Sequence, residues 1–244
     1  QDSVSITVEA AASQSTDITD AEFTNRAGSC ANYAGDYFAN VKDIKRNMGF
    51  EGSINISLEG NKCRFVSNEI PNHDFNDNSA SFATNVSTQS ADFELPITPT
   101  MATQVTELAL GVTNAIMLNG VEVDILPAAC YGVGGGQLGK EKIGCGGDQI
   151  DNPWRYDPMS PLNGFGTDMH NAHTQPSGKY HYHGNPLAMF NIQCEASAEA
   201  SPVIGFAADG FPVYGPCFTD PASGTVRKAT SSYGFKDNGG PRQN

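Results

Sequence analysis

"DMHNAHTQPSGKYHYHGNP" runs from Asp168 to Pro186 and holds four of the five histidines in the chain. Its reading as helix or strand decides what this half of the molecule is. Tyrosine favours strands, and "QPSG" in the middle is a turn signal. On a strand, His181 and His183 project from one face and Tyr180 and Tyr182 from the other. Residues two apart on a strand lie roughly 6.5–7 Å apart at Cα, so two imidazoles can converge on one ion. A helix would splay the same pair about 200° apart, and no shared ligand would be in reach.

The turn leads back to "DMHNAHT", so the stretch predicts a hairpin. Two registers compete. A three-residue loop, Pro176 to Gly178, sets His173 opposite His181 and Asn171 opposite His183. A four-residue loop, Gln175 to Gly178, sets His170 opposite His183 and Ala172 opposite His181. Either way one upstream histidine joins the pair and the other faces away. Directly opposed Cβ atoms lie roughly 4.5–5.5 Å apart, close enough to share an ion. Asp168 stands beside this cluster. The bland alternative is a wet polar loop in which the histidines are simply hydrogen-bonded.

Working outward, the composition suits a chain of strands and ordered loops. There are 26 glycines and 14 prolines in 244 residues, and only 17% of residues are charged. These features predict a mainly β fold of antiparallel sheets with long ordered loops and a few short helices near the N-terminus. A single domain over residues 1–244 fits this length, with a candidate boundary around Ser87 to Thr103. The 27 acidic residues outnumber the 14 basic ones, for a net charge of −13. Such a surface repels phosphate backbones and anionic lipids and attracts cations, so nucleic acid is not an expected partner and a metal ion is.

Six cysteines are present, none in a CxxC pair. This argues against a cysteine zinc site and for disulfides in an oxidising compartment. Sequence does not fix the connectivity; pairing in chain order is the expectation, with Cys130–Cys145 around a glycine-rich loop and Cys194–Cys217 around a hairpin-sized segment. No stretch is apolar enough to span a membrane. The opening "QDSVSITVEA" lacks a leader pattern, which is read as a leader either removed or lying outside this sequence. "NIS" at Asn55 and "NVS" at Asn85 are formal glycosylation triplets.

Along the chain, "VSITVEA" alternates like a strand. "ANYAGDYFANVKDIKRNMGF" carries apolar residues at mixed three and four spacing and predicts helix. "GSINISLEGNKCRFVSNEI" reads as two strands around "EGNK", "ADFELPI" and "NGVEVDIL" as further strands, and "SPVIGFAADGFPVYGPC" as strand, turn and strand bent at Asp209-Gly210. "GGGQLGKE", Gly134 to Glu141, nearly matches a phosphate loop. Glu141 stands where a hydroxyl should meet magnesium, and the flanking cysteines suggest a pinned loop instead. Trp154 is read as a packing residue.

Histidine with carboxylate leaves iron, copper and zinc as the divalent candidates, since calcium and magnesium want an oxygen cage. Free histidine titrates near pH ~6.5, so an ion held by imidazole is expected to leave on mild acidification, between about pH 6 and 5.

"GTDMHNAHTQPSGKYHYHGNP" followed by "VIGFAADGFPVYGP" resembles the YHYH family, as do "SNEIPNHDF" around His73 and "IMLNGVEVDIL" around Asn119. The resemblance runs from about Arg64 to Phe235; the first 60 residues match no known pattern. It implies a secreted, periplasmic or cell-surface protein with a mainly β domain and a role in metal binding. Carried over by motif, the positions are His73, Asp168, His173, His181, His183 and Asp209. His170 stands where many relatives carry a cysteine.

Three functions compete. The first is an extracellular or cell-surface protein for iron or copper capture or uptake. The second is a metal-dependent hydrolase or oxidoreductase using the same site, with Asp168 or Asp209 as acid or base. The third is a metal-free adhesive or structural module. The metal candidates are His181, His183, His173, His73, His170, Asp168 and Asp209.

Overall fold

The structure is a computed structural model, and it describes residues 14–106, 108–109, 111–125, 157–159, 166–195 and 199–231. The strand expected in "VSITVEA", the phosphate-loop-like segment, Trp154 and the Cys130–Cys145 pairing lie outside the described residues.

The described chain is mainly β, with one 3₁₀ turn at Cys30–Tyr33. Five strands form the first sheet in the order β1 (Thr16–Asp17), β2 (Gly35–Asp43), β3 (Met48–Glu59), β4 (Lys62–Ser67) and β5 (Ala91–Pro96). β1 joins β2 in parallel, and the other pairs are antiparallel. The second sheet is built from β6 (Ala115–Met117), β7 (Glu122–Val123), β8 (Ala172–Thr174), β9 (Tyr180–Tyr182), β10 (Val203–Ala207) and β11 (Pro212–Tyr214). Its spatial order is β11-β10-β6-β7-β9-β8. A small ribbon pairs β12 (Cys217–Thr219) with β13 (Val226–Lys228).

The two large sheets share one apolar core. Phe65 of β4 and Tyr33 of the 3₁₀ turn both pack on Phe206 of β10, with ring centroids 6.3 and 5.6 Å away. Cys30 is bonded to Cys63 and Cys194 to Cys217, in chain order as expected, and no described cysteine is free.

The strands expected around "EGNK", in "ADFELPI" and on both sides of Asp209-Gly210 are present as β3–β4, β5 and β10–β11. Among the described residues of "NGVEVDIL", only Glu122–Val123 is strand. The helix expected over "ANYAGDYFANVKDIKRNMGF" is not formed. Past the short 3₁₀ turn that segment is β2, a turn and the start of β3, paired in register from Gly35↔Ile56 to Asp43↔Met48. The inward positions are Ala39, Val41 and Asp43. A buried aspartate in the third inward place disguises the period of two. It is satisfied there by Arg46 Nε at 2.7 Å and by the Asn76 amide at 2.9 Å.

Candidate metal centre

Strand β9 carries the central alternation. Tyr180 and Tyr182 point into the core and are fully buried. His181 and the following His183 point the other way, and the antiparallel partner β8 sets His173 opposite His181. Gln175 N–H donates to the Lys179 carbonyl, and His183 N–H to that of Asn171. This is the register of the three-residue loop. Gly178 ends that loop with φ +85°, a conformation side-chain-bearing residues rarely adopt.

The three imidazoles meet. His183 Nε2 lies 3.1 Å from His181 Nε2 and 3.0 Å from His173 Nε2. Ring centroids are 4.7–4.8 Å apart in all three pairs, with planes at 71–76°, so the rings form a three-bladed arrangement around a common point. Among the described residues, these are the one group of three or more histidine, cysteine or acidic side chains whose ligand atoms lie within 4.8 Å of one another. His181 and His183 are buried and His173 half-buried.

Tautomers sharpen the chemistry. His173 Nδ1 lies 2.7 Å from the Gly166 carbonyl, so Nδ1 carries the proton and Nε2 offers a lone pair. His181 Nδ1 faces the Lys179 carbonyl at 3.4 Å in the same sense. His183 Nε2 can give a proton to only one of its two neighbours, so its contact with the other, at 3.0 or 3.1 Å, is left without a hydrogen bond. A cation at the centre resolves this. A metal–nitrogen distance of about 2.0–2.1 Å gives an N···N edge of about 2.9 Å at right angles and about 3.4 Å for a tetrahedron; the two edges at His183, 3.1 and 3.0 Å, fall between, and the ligand atoms of all three residues lie within 4.8 Å of one another. Burial, with the neighbouring His173, holds the His183 pKa down at about 3. Burial, with His183 and His173, holds His181 well below the usual range, and burial also lowers His173. The site therefore presents neutral imidazole, the form that binds metal.

The other expected site residues lie elsewhere. His73 is on the tyrosine side of β9. Its Nδ1 donates to the Asp74 carbonyl at 2.8 Å, and its Nε2 accepts from the Tyr182 hydroxyl at 2.6 Å. His170 stacks on His73 with centroids 3.9 Å apart, facing away from the triad as the register requires. Asp168 is buried and accepts from the Tyr180 hydroxyl at 2.8 Å and from the backbone N–H groups of His170, Asn76 and Ala172. Asp209 sits exposed at the β10–β11 turn, where it accepts the Phe211 N–H at 3.4 Å. None of these four belongs to the group that converges with the triad.

A charged cluster beside Lys179 escaped the sequence reading. Lys179 Nζ is 2.6 Å from Glu122, and Asp124 accepts from Gln175 at 3.1 Å. Glu69 is buried against Glu122, and burial pushes its carboxyl well above the usual range. The alternation "EVD" in "NGVEVDIL" was the available signal, since it puts Glu122 and Asp124 on one face of a strand.

A profile of the family described as YHYH protein matches residues 92–244. The match begins downstream of His73, which the resemblance had included, and takes in β8, β9 and the β10–β11 hairpin. No curated protein and no solved structure matches the chain. With more than half of its length matched and the tetrapeptide laid out as alternating core tyrosines and clustered histidines, the chain belongs to the YHYH protein family.

Proposed function

We propose that this protein captures a divalent transition metal outside the cytoplasm, held by Nε2 of His173, His181 and His183. The carrying observation is the convergence of three neutral imidazoles, two buried and one half-buried, whose ligand atoms lie within 4.8 Å of one another. The donor set is all nitrogen, which suits copper, iron and zinc, and copper(II) is expected to bind most tightly among them. Two disulfides fit an oxidising compartment, and no described helix is long and apolar enough to cross a membrane. The acidic surface favours the approach of cations.

A metal-dependent enzyme is the second reading, because three protein ligands leave coordination positions open. Capture is preferred because Asp168, one expected acid or base, is taken up by Tyr180 and three backbone N–H groups, and Asp209, the other, lies on the β10–β11 turn and outside the histidine group. The deciding measurement is elemental analysis of protein purified without chelator or histidine tag, beside the double variant His181→Ala/His183→Ala. One equivalent of iron, copper or zinc in the parent and none in the variant is expected. Equal metal in both would remove the reading.

A further inference from the structure

We infer that His73 and Asp168 are positioning residues for the histidine triad, acting through Tyr182 and Tyr180 rather than touching the ion. The inference rests on the metal-capture reading and extends it to the other side of the same strand.

Strand β9 is short. It pairs with β8 over three residues and with β7 at the single position Val123↔Tyr182. So small a ladder resists rotation about the strand axis poorly, yet convergence of the Nε2 atoms tolerates only about 0.5 Å of error. The tyrosines supply the missing constraint. Tyr182 donates to His73 Nε2 and accepts from the Asn119 amide at 2.9 Å, and that amide also reaches Asn72 at 3.0 Å. The Nδ1 bond to the Asp74 carbonyl fixes the His73 tautomer that can accept from Tyr182. Asp168 holds Tyr180 of β9 and the Ala172 N–H of β8 at once, so one carboxyl links the strand of His173 to that of His181. Rotating β9 enough to turn an imidazole away would break bonds between groups shielded from water. The tetrapeptide then has two jobs in alternation, with tyrosines anchored inward and histidines presented outward.

The test uses the full chain and cobalt(II) as probe, with Tyr182→Phe, His73→Leu and His73→Gln, and His181→Ala as the ligand-loss control. Tyr182→Phe and His73→Leu are expected to bind cobalt(II) about 10- to 100-fold more weakly, with altered visible bands. His73→Gln, which keeps an acceptor for Tyr182, should recover part of the loss. In metal-free protein the ring ¹⁵N signals of His181 and His183 should shift in Tyr182→Phe. Unchanged affinity and unchanged ring signals, with binding lost in His181→Ala, would overturn the positioning role and leave the metal reading standing. Failure of the parent to bind cobalt(II) and copper(II) would overturn the metal reading, and the ring signals alone would then decide whether the tyrosine anchors orient the histidines. Should His73→Leu fail to fold, the isosteric Tyr182→Phe decides.

Discussion

His183 has an imidazole nitrogen within 3.1 Å on two sides, and this crowding is what marks it as a candidate ligand. The spacing of His181 and His183 and their common face were legible, because strand geometry fixes them. Which upstream histidine joined them was not, because either of two loop lengths was compatible with "QPSG". Asp209 was named as a ligand from resemblance alone, although the sequence already set Asp209-Gly210 at the bend of a hairpin, away from the histidines. A pair of substitutions separates the two cases. His173→Ala removes a converging nitrogen and should weaken copper(II) binding by more than the roughly 100-fold typical of outer-shell changes. Asp209→Ala removes one long contact to the Phe211 N–H and should leave binding unchanged. Competition titration against a chromogenic chelator reads both, and the reverse order of effects would contradict the assignment.

At the scale of elements, the hairpin β8–β9 depends on Gly178. Its φ is +85°, and an added Cβ would lie 2.3 Å from Ser87 Oγ and 2.9 Å from the Asn85 carbonyl. Gly178→Ala should cost more than about 1 kcal/mol, from backbone strain and the clash together. It should also weaken metal binding by loosening the register that opposes His173 to His181. Urea denaturation and the same titration check both, and a neutral result would mean that the loop does not set the register. Other elements show why part of the fold stayed hidden. β3 and β4 carry regular alternation and a two-residue turn, so local sequence sufficed. β2 does not, because Asp43 is an inward charge whose partners Arg46 and Asn76 meet it only after folding. Local pattern cannot register a buried carboxylate that is satisfied in part by an amide 33 positions away. The Glu69–Glu122 contact is of the same kind, since it joins β7 to the loop after β4.

For the whole molecule, proton linkage joins the site to stability. Burial, with the neighbouring His170, holds His73 at a pKa of about 3, and His183 is equally low. In the unfolded chain each titrates near pH ~6.5. Below that value the unfolded chain binds more protons, so stability falls as pH drops from about 6.5 toward 3, by about 1.4 kcal/mol per pH unit for each such group. His170, His173 and His181 are lowered too, chiefly by burial, and act in the same direction. Asp168, raised by burial to about 6, opposes them, because its folded form takes up a proton before its unfolded form does. Glu69 and Asp124, also raised by burial, do likewise. Five histidines outweigh three carboxyls, and the metal-free protein should lose roughly 2–4 kcal/mol between pH 7 and 5. The three clustered histidines are held low in the folded state, so bound metal displaces few protons there and should add about as much stability at pH 5 as at pH 7. The lowered pKa values also shift metal release below the pH 6 to 5 interval expected of free histidine, since protons compete later for neutral buried rings. Denaturation with and without copper(II), alongside metal occupancy from pH 7.5 to 4, tests the set. Stability that rises on acidification to pH 5 without metal would show that the buried carboxyls dominate. Complete metal release already at pH 6 would show that the three imidazoles are not the shielded, neutral ligands described above.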